Sequence, residues 1–233
     1  MIHIHNAQKS YGEREVLNIE SLDIDKGACF GLVGNNGAGK TTLFRALLDL
    51  IPLDAGIIAI NDIQVSTSEN WKEITGAFLD EGFLIDYLKP EEYFVYVGKT
   101  RGLTRDQTNQ QLERFSELFG DEIIGQKRFI RDLSKGNQKK VGIAASFIGN
   151  PDVVILDEPF ANLDPSSQFI LRELIDEEHK NGVTFLISSH DLSHVTEICS
   201  RIVLLDRGKV VKDLKTNPST LNELEDHFRR IKQ

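Results

Sequence analysis

The chain has 233 residues, with 27 Lys+Arg against 36 Asp+Glu for a formal charge of −9. That length supplies a sizeable core for one large domain or two small ones, and 40% apolar with 27% charged residues excludes a disordered or disulfide-built chain. The acidic balance works against a polyanion binder, so no nucleic acid is expected as partner, and no apolar run approaches the roughly 18 residues of a spanning helix, so no direct membrane insertion is expected.

In chain order, weak alternation over 2–6 and better alternation over 14–25, through Val16, Leu17, Ile19, Leu22 and Ile24, predicts two early strands. His3 and His5 share one strand face; with no third ligand in sequence reach they read as exposed residues rather than a metal site. Residues 28–33 read as a buried strand running into a glycine-rich turn, and 41–50 as the helix that follows. Further β-rich apolar runs at 57–60, 76–79, 153–156, 183–188 and 202–205 are spaced for helical crossovers. That rhythm predicts an α/β core with an antiparallel N-terminal portion.

Between about 86 and 145 the period changes to helical, through Tyr93, Phe94, Tyr96 and Val97 and again through Leu112, Phe115, Leu118 and Phe119. A helical insertion is expected here, with Gly98, Gly102, Gly120 and Gly125 as punctuation. After Pro218, Leu221, Leu224 and Phe228 fall on one face of a charged helix, read as a packed C-terminal helix or a docking element. Cys29 and Cys199 lie among apolar residues and fit a reducing compartment.

The strongest chemical signal is Gly34-Asn35-Asn36-Gly37-Ala38-Gly39-Lys40-Thr41, the full P-loop pattern placed after a predicted strand and before a predicted helix. Its glycines let backbone N–H groups converge on phosphate oxygens while the helix directs its positive end at them. Lys40 is expected to reach the β- and γ-phosphates and Thr41 to ligate Mg²⁺. Val153-Val154-Ile155-Leu156 then delivers Asp157 and Glu158 to the end of a buried strand. Asp157 is the natural metal-shell carboxylate there, and Glu158 the base or orienter for an attacking water. His190, ending the next apolar strand, projects toward the same edge and can help place that water, or it is a structural strand-end histidine.

With these residues in order, the sequence resembles the ATP-binding-cassette ATPase family, the nucleotide-binding domains of ABC transporters. The diagnostic signature looks like Leu133-Ser134-Lys135-Gly136-Asn137-Gln138, the D-loop like Ala161-Asn162-Leu163-Asp164, and the switch histidine like His190. The resemblance implies an α/β P-loop fold of the cassette type, with a mixed sheet core, an N-terminal antiparallel β portion and a helical subdomain. It implies one nucleotide-binding domain over 1–233: a catalytic lobe at 1–85 and 146–213, the helical subdomain at 86–145 and a short extension at 214–233.

It further implies ATP and Mg²⁺ as cofactors, held by Asn35, Asn36, Gly37, Ala38, Gly39, Lys40, Thr41 and Thr42, with Tyr11 stacking on adenine. No Asn-Lys-x-Asp run is present to read guanine. Ser134 and Gly136 of one copy would bind the γ-phosphate held by the other, and Asp164 would couple the two sites, so hydrolysis calls for a head-to-tail dimer of this chain or of this chain with a related cassette. Where the family has a glutamine that binds Mg²⁺, the candidate is Glu81, with Asp80 as the alternative one position earlier. Lys135 and Asn137 depart from the family's glycine and glutamine, and Lys135 either adds charge near the phosphates or faces solvent.

The implied activity is ATP hydrolysis, with Glu158, His190 and Lys40 as catalytic residues, powering transport through a separate transmembrane permease. Export is expected, because the short tail and the acid after the 76–79 strand look more like export systems. The implied location is the cytoplasmic face of the cell membrane, reached through the permease. The aromatic run Phe83, Leu84, Tyr87, Tyr93, Phe94 and Tyr96 would receive the permease, or it is core. A soluble cassette protein of translation or DNA repair is the alternative; its relatives usually carry two cassettes or a coiled-coil insertion. A small-molecule kinase would leave the signature segment and Asp164 without a role.

Overall fold

A computed structural model describes residues 1–231. In chain order the elements are β1 (Ile2–Tyr11), β2 (Arg14–Ile24), β3 (Cys29–Val33), α1 (Lys40–Leu47), β4 (Ala55–Ile60), β5 (Ile63–Gln64), β6 (Thr75–Phe78), α2 (Pro90–Thr100), α3 (Arg105–Leu112), α4 (Ser116–Phe119), α5 (Lys135–Ser146), β7 (Val153–Asp157), α6 (Pro165–Lys180), β8 (Thr184–Ser189), α7 (Leu192–Ile198), β9 (Arg201–Asp206), β10 (Lys209–Lys215) and α8 (Thr220–Ile231). The antiparallel sheet runs β2-β1-β4-β5 and the larger sheet β10-β9-β3-β8-β7-β6.

Alternation builds the first sheet: Ile2 and Ile4 of β1 pair with Ile24 and Leu22 on one side and with Ile60 and Ile58 on the other, all buried. In the second, β9, β3, β8, β7 and β6 are parallel, and β3, β7 and β8 are buried along their whole length. Such strands read as continuous apolar runs because both faces are covered. Their side chains divide between two cores. Val153, Ile155 and Leu186 pack with α1 and the antiparallel sheet, whereas Val154, Leu156, Phe185 and Ile187 pack with the helices.

A row of rings ties the helical segment to the sheet. Phe94 lies 5.6 Å from Phe119, Phe119 6.0 Å from Phe115, Phe115 5.3 Å from Phe147, and Phe147 5.9 Å from Phe185 of β8. Phe94, expected on the permease-facing surface, is fully buried in this row and corrects that expectation.

Other differences have local causes. β1 continues past residue 6 to Tyr11 because both neighbouring strands offer it ladder bonds. β10 was not anticipated: its burial alternates, and it pairs antiparallel to β9 as the sheet's edge. α1 starts at Lys40 and stops at Leu47, leaving Leu50 exposed. Gly98, expected between helices, lies inside α2, where a Cβ would sit 2.0 Å from Thr108 Oγ1 of α3. Residues 232–233 of the expected C-terminal extension lie outside the described residues.

Candidate nucleotide site

Parallel strands bring the expected residues together. Val33 pairs with Ser189 and Asp157 with Ser188, so the segments following β3, β7 and β8 leave one edge of the sheet side by side. The chain turns from β3 through Gly37 and Gly39, whose φ values of 81° and 110° lie in the left-handed region. Gly39 caps α1 without a side chain, so the first N–H groups of that helix open onto the turn. Asn35, Asn36 and Gly37 are exposed, Ala38, Gly39 and Lys40 are buried, and Thr41 and Thr42 are half-buried. Lys40 Nζ donates to the Gly34 carbonyl at 2.7 Å, and Thr41 Oγ1 donates to Asp157 Oδ2 at 2.6 Å.

Asp157 is buried, and Ser188 Oγ donates to its other oxygen. Burial pushes the Asp157 carboxyl above the ordinary carboxylate range; the Ser188 and Thr41 hydroxyls oppose that, the Glu158 charge adds to it and Lys40 opposes it. Glu158 has φ 49°, a strained setting for a residue with a Cβ. Its N–H donates to Ser188 Oγ at 3.0 Å and its carbonyl accepts from Lys139 Nζ at 2.8 Å. The Glu158 carboxylate then stands between His190 Nδ1, at 2.8 Å, and Lys40 Nζ, at 3.7 Å. His190 is 60% exposed at its side chain, open to whatever enters from that edge.

The two acids after β6 face different ways. Asp80 turns away, accepting from the Gly82 N–H at 2.7 Å and facing Arg45 at 3.9 Å. Glu81 Oε1 is buried without a hydrogen-bond partner, 3.8 Å from Lys139 Nζ. Lys139 escaped the sequence reading. Its burial pushes the ammonium pKa down, while Glu81, Glu158 and Asp157 oppose that. A lysine in a helix ordinarily carries its charge to water, so no local pattern marks one that turns inward. Ser188 was likewise passed over as part of an apolar strand.

The signature residues gather on a neighbouring surface. Ser134 caps α5, its hydroxyl accepting from the Asn137 N–H at 3.2 Å. Gln138 holds the preceding turn by donating to the Ile130 and Leu133 carbonyls, each at 3.1 Å. A Cβ on Gly136 would come within 3.0 Å of the Asn162 carbonyl. Asp164 caps α6, accepting from the Ser167 N–H at 3.0 Å, and lies 3.9 Å from Lys140. Lys135 faces solvent with its ammonium 3.3 Å from Gln138 Oε1. Tyr11 ends β1, the residue 53% exposed and the Lys9 ammonium 5.6 Å from its ring centroid.

Beside the site runs a groove of about 740 Å³ whose lining includes Leu50, Trp71, Phe83, Tyr93, Val97 and Arg101. Arg101 braces it, donating to the Thr75 carbonyl at 2.6 Å and the Glu73 carbonyl at 3.0 Å. Phe83, Tyr87 and Tyr96 are exposed at or near this face, whereas Leu84 is buried. Among the described residues, no helix is long and apolar enough to cross a membrane.

The donor set suits a magnesium nucleotide. Thr41, Asp157 and Glu81 offer hard oxygen ligands, and the unpartnered Glu81 oxygen is a polar group that such a cation would satisfy. A P-loop turned into a helix at the carboxyl end of a parallel sheet, with a carboxylate pair at the end of β7, one strand beyond its neighbour β8, defines a P-loop nucleotide-binding protein.

Comparison with known proteins narrows that class. A family model described as ABC transporter matches residues 17–161. The chain is 33% identical over 211 residues to the uncharacterized ABC transporter ATP-binding protein YhaQ of Bacillus subtilis (strain 168), covering 91% of this chain and 70% of that protein. It superposes with a TM-score of 0.85 at 26% identity on a solved ATP binding subunit of an ABC transporter, covering 98% of this chain and 93% of that one. A TM-score of 0.82 at 22% identity relates its fold to the dimeric post-hydrolysis structure of the ATP-binding cassette MJ0796 bound to ADP and Pi, over 93% and 99% of the two chains. The chain belongs to the ABC transporter family, as an ATP-binding subunit.

Proposed function

We propose that this subunit holds Mg–ATP at the 34–42 turn and hydrolyses it by water attack directed from Glu158. The observation that carries this reading is the Glu158 carboxylate standing between His190 and Lys40 with its backbone held at both ends. The loop amides and Lys40 take the β- and γ-phosphates, and Tyr11 supplies a face for the base. Thr41, Asp157 and Glu81 would hold Mg²⁺, which would supply charge neutralisation for phosphoryl transfer. Lys40 leaves the Gly34 carbonyl for phosphate, Glu158 orients water and accepts its proton, and His190 keeps that carboxylate aimed and stabilises the transferring group.

The α5 start, with exposed Ser134 and half-buried Gly136, completes the site of a second copy or a related cassette in a head-to-tail dimer, with Asp164 at the seam. Support comes from the fold shared with the dimeric MJ0796 cassette. The braced groove with Phe83 and Tyr93 receives a helix of a transmembrane permease, which holds the subunit on the cytoplasmic face of the membrane.

Glu158→Gln tests the central step. ATP binding is retained, turnover falls by about 10²–10⁴-fold, and ATP with Mg²⁺ shifts the protein to a dimer on gel filtration. Unchanged turnover removes Glu158 from its role. Capture of the same variant from solubilised membranes is expected to bring down a multispanning protein, with Lys40→Ala as control. Recovery of ribosomes instead would replace the permease with the soluble reading.

A further inference from the structure

The outer face of the antiparallel sheet carries a cluster that nucleotide chemistry leaves unused. Ile2 and Ile4 point into the core, so His3 and His5 stand outward from β1, their rings parallel within 4° and 6.4 Å apart. The β1–β2 register sets Asp23 opposite His3 and Ser21 opposite His5. Asp23 Oδ1 lies 2.7 Å from His3 Nδ1 and 3.8 Å from His5 Nε2. One ligand atom from each of His3, His5 and Asp23 falls within 4.8 Å of the other two. Asp62, between β4 and β5, brings Oδ1 to 3.9 Å from His3 Nε2. Sequence reading saw two histidines on one face; the strand pairing adds the carboxylate.

We propose that His3, His5 and Asp23 form a surface binding site for one divalent cation of the zinc class. Two imidazoles and a carboxylate suit Zn²⁺, whereas Mg²⁺ and Ca²⁺ take all-oxygen shells. A tetrahedral Zn²⁺ with ligands at about 2.0–2.1 Å holds those atoms roughly 3.4 Å apart. The pairs at 2.7 and 3.8 Å bracket that spacing, so side-chain rotation on an exposed face is enough. Ser21 Oγ lies 3.4 Å from His5 Nδ1. A proton on Nδ1 donated to Ser21 leaves the Nε2 lone pair facing Asp23, the outer hydrogen bond that orients a metal-binding histidine. Water takes the fourth position, and Asp62, on the Nε2 side of His3, is placed to accept that ring's other proton. A bound cation links β1 to β2, and it stabilises the folded chain by mass action.

The test is calorimetric titration of Zn²⁺ into the full chain, freed of any histidine tag, with Mg²⁺ in excess to occupy the nucleotide-site carboxylates. One Zn²⁺ per chain is expected, with affinity reduced about tenfold or more in His5→Thr and Asp23→Asn. Thr is chosen because it keeps strand propensity. Zn²⁺ raises the Tm of the parent chain and leaves that of the variants unmoved. Co²⁺ in place of Zn²⁺ gives visible d–d bands without thiolate charge transfer, separating this site from Cys29 and Cys199. Ser21→Ala, which keeps every ligand, weakens binding if a ligand variant fails to fold. Absence of binding, an unchanged isotherm in the variants, or a thiolate band overturns the proposal.

Discussion

At Glu158 the left-handed φ of 49° costs about 1–2 kcal/mol for a residue with a side chain. Ser188 and Lys139 offset that cost by taking its N–H and carbonyl, and the result is a carboxylate aimed at the sheet edge. Lys139 is at the same time the cation beside Glu81, so one buried ammonium serves both the Glu158 turn and the segment after β6. Breaking a buried pair leaves a charge without compensation. Lys139→Met is therefore expected to destabilise the chain by about 3 kcal/mol. Glu81→Gln added to it is expected to recover part of that loss, with a coupling of about 0.5–3 kcal/mol in urea denaturation. Additive effects of the two changes would dissolve the pair. Glu81 was legible as a candidate from its place after an apolar run, whereas the Gly82 contact that turns Asp80 away was not.

At the element scale, helix starts do double duty. Asp164 caps α6, and its bonds from Ser167, from the hydroxyl first and then the backbone N–H, hold its carboxyl below the ordinary range, with Lys140 assisting. A carboxyl with a lowered folded pKa contributes stability that is present above its unfolded pKa of 3.8 and lost as pH falls through the folded value. Asp164→Ala is expected to cost about 1 kcal/mol at neutral pH, a Tm loss of roughly 2–4 °C for a chain of this size. The difference from the parent should shrink as the pH drops below 4; a Tm gap that stays constant down to pH 2 would deny the cap its charge. The caps of α5 and α6 were legible as motif residues because such motifs are contiguous in the chain. Edge strand β10 was not, since its pairing with β9 gives it identity that its own residues do not.

For the whole molecule, the ring row from Phe94 to Phe185 makes the helical segment and the parallel sheet share one apolar cluster. Phe147 sits in its middle, fully buried between Phe115 and Phe185. Phe147→Ala is expected to cost about 3–5 kcal/mol, read as a lowered denaturation midpoint followed both by far-UV circular dichroism and by Trp71 fluorescence. A drop confined to one probe would mean that the helical segment unfolds apart from the sheet.

By itself the sequence determined the class of this protein, because phosphate cradles, strand-end carboxylates and helix caps are local and their order survives in the chain. It also determined an α/β core with helical crossovers, since burial on both faces demands unbroken apolar runs. Tertiary structure alone decided which distant charges meet: Lys139 with Glu81, Glu158 between Lys40 and His190, and Asp23 opposite His3. Those encounters depend on strand register and on the rotation of α5 against β6, set by the fit of Phe78 against Gly142, where a Cβ would lie 2.1 Å from the ring. Close packing between elements specifies them, and no short window of residues contains it.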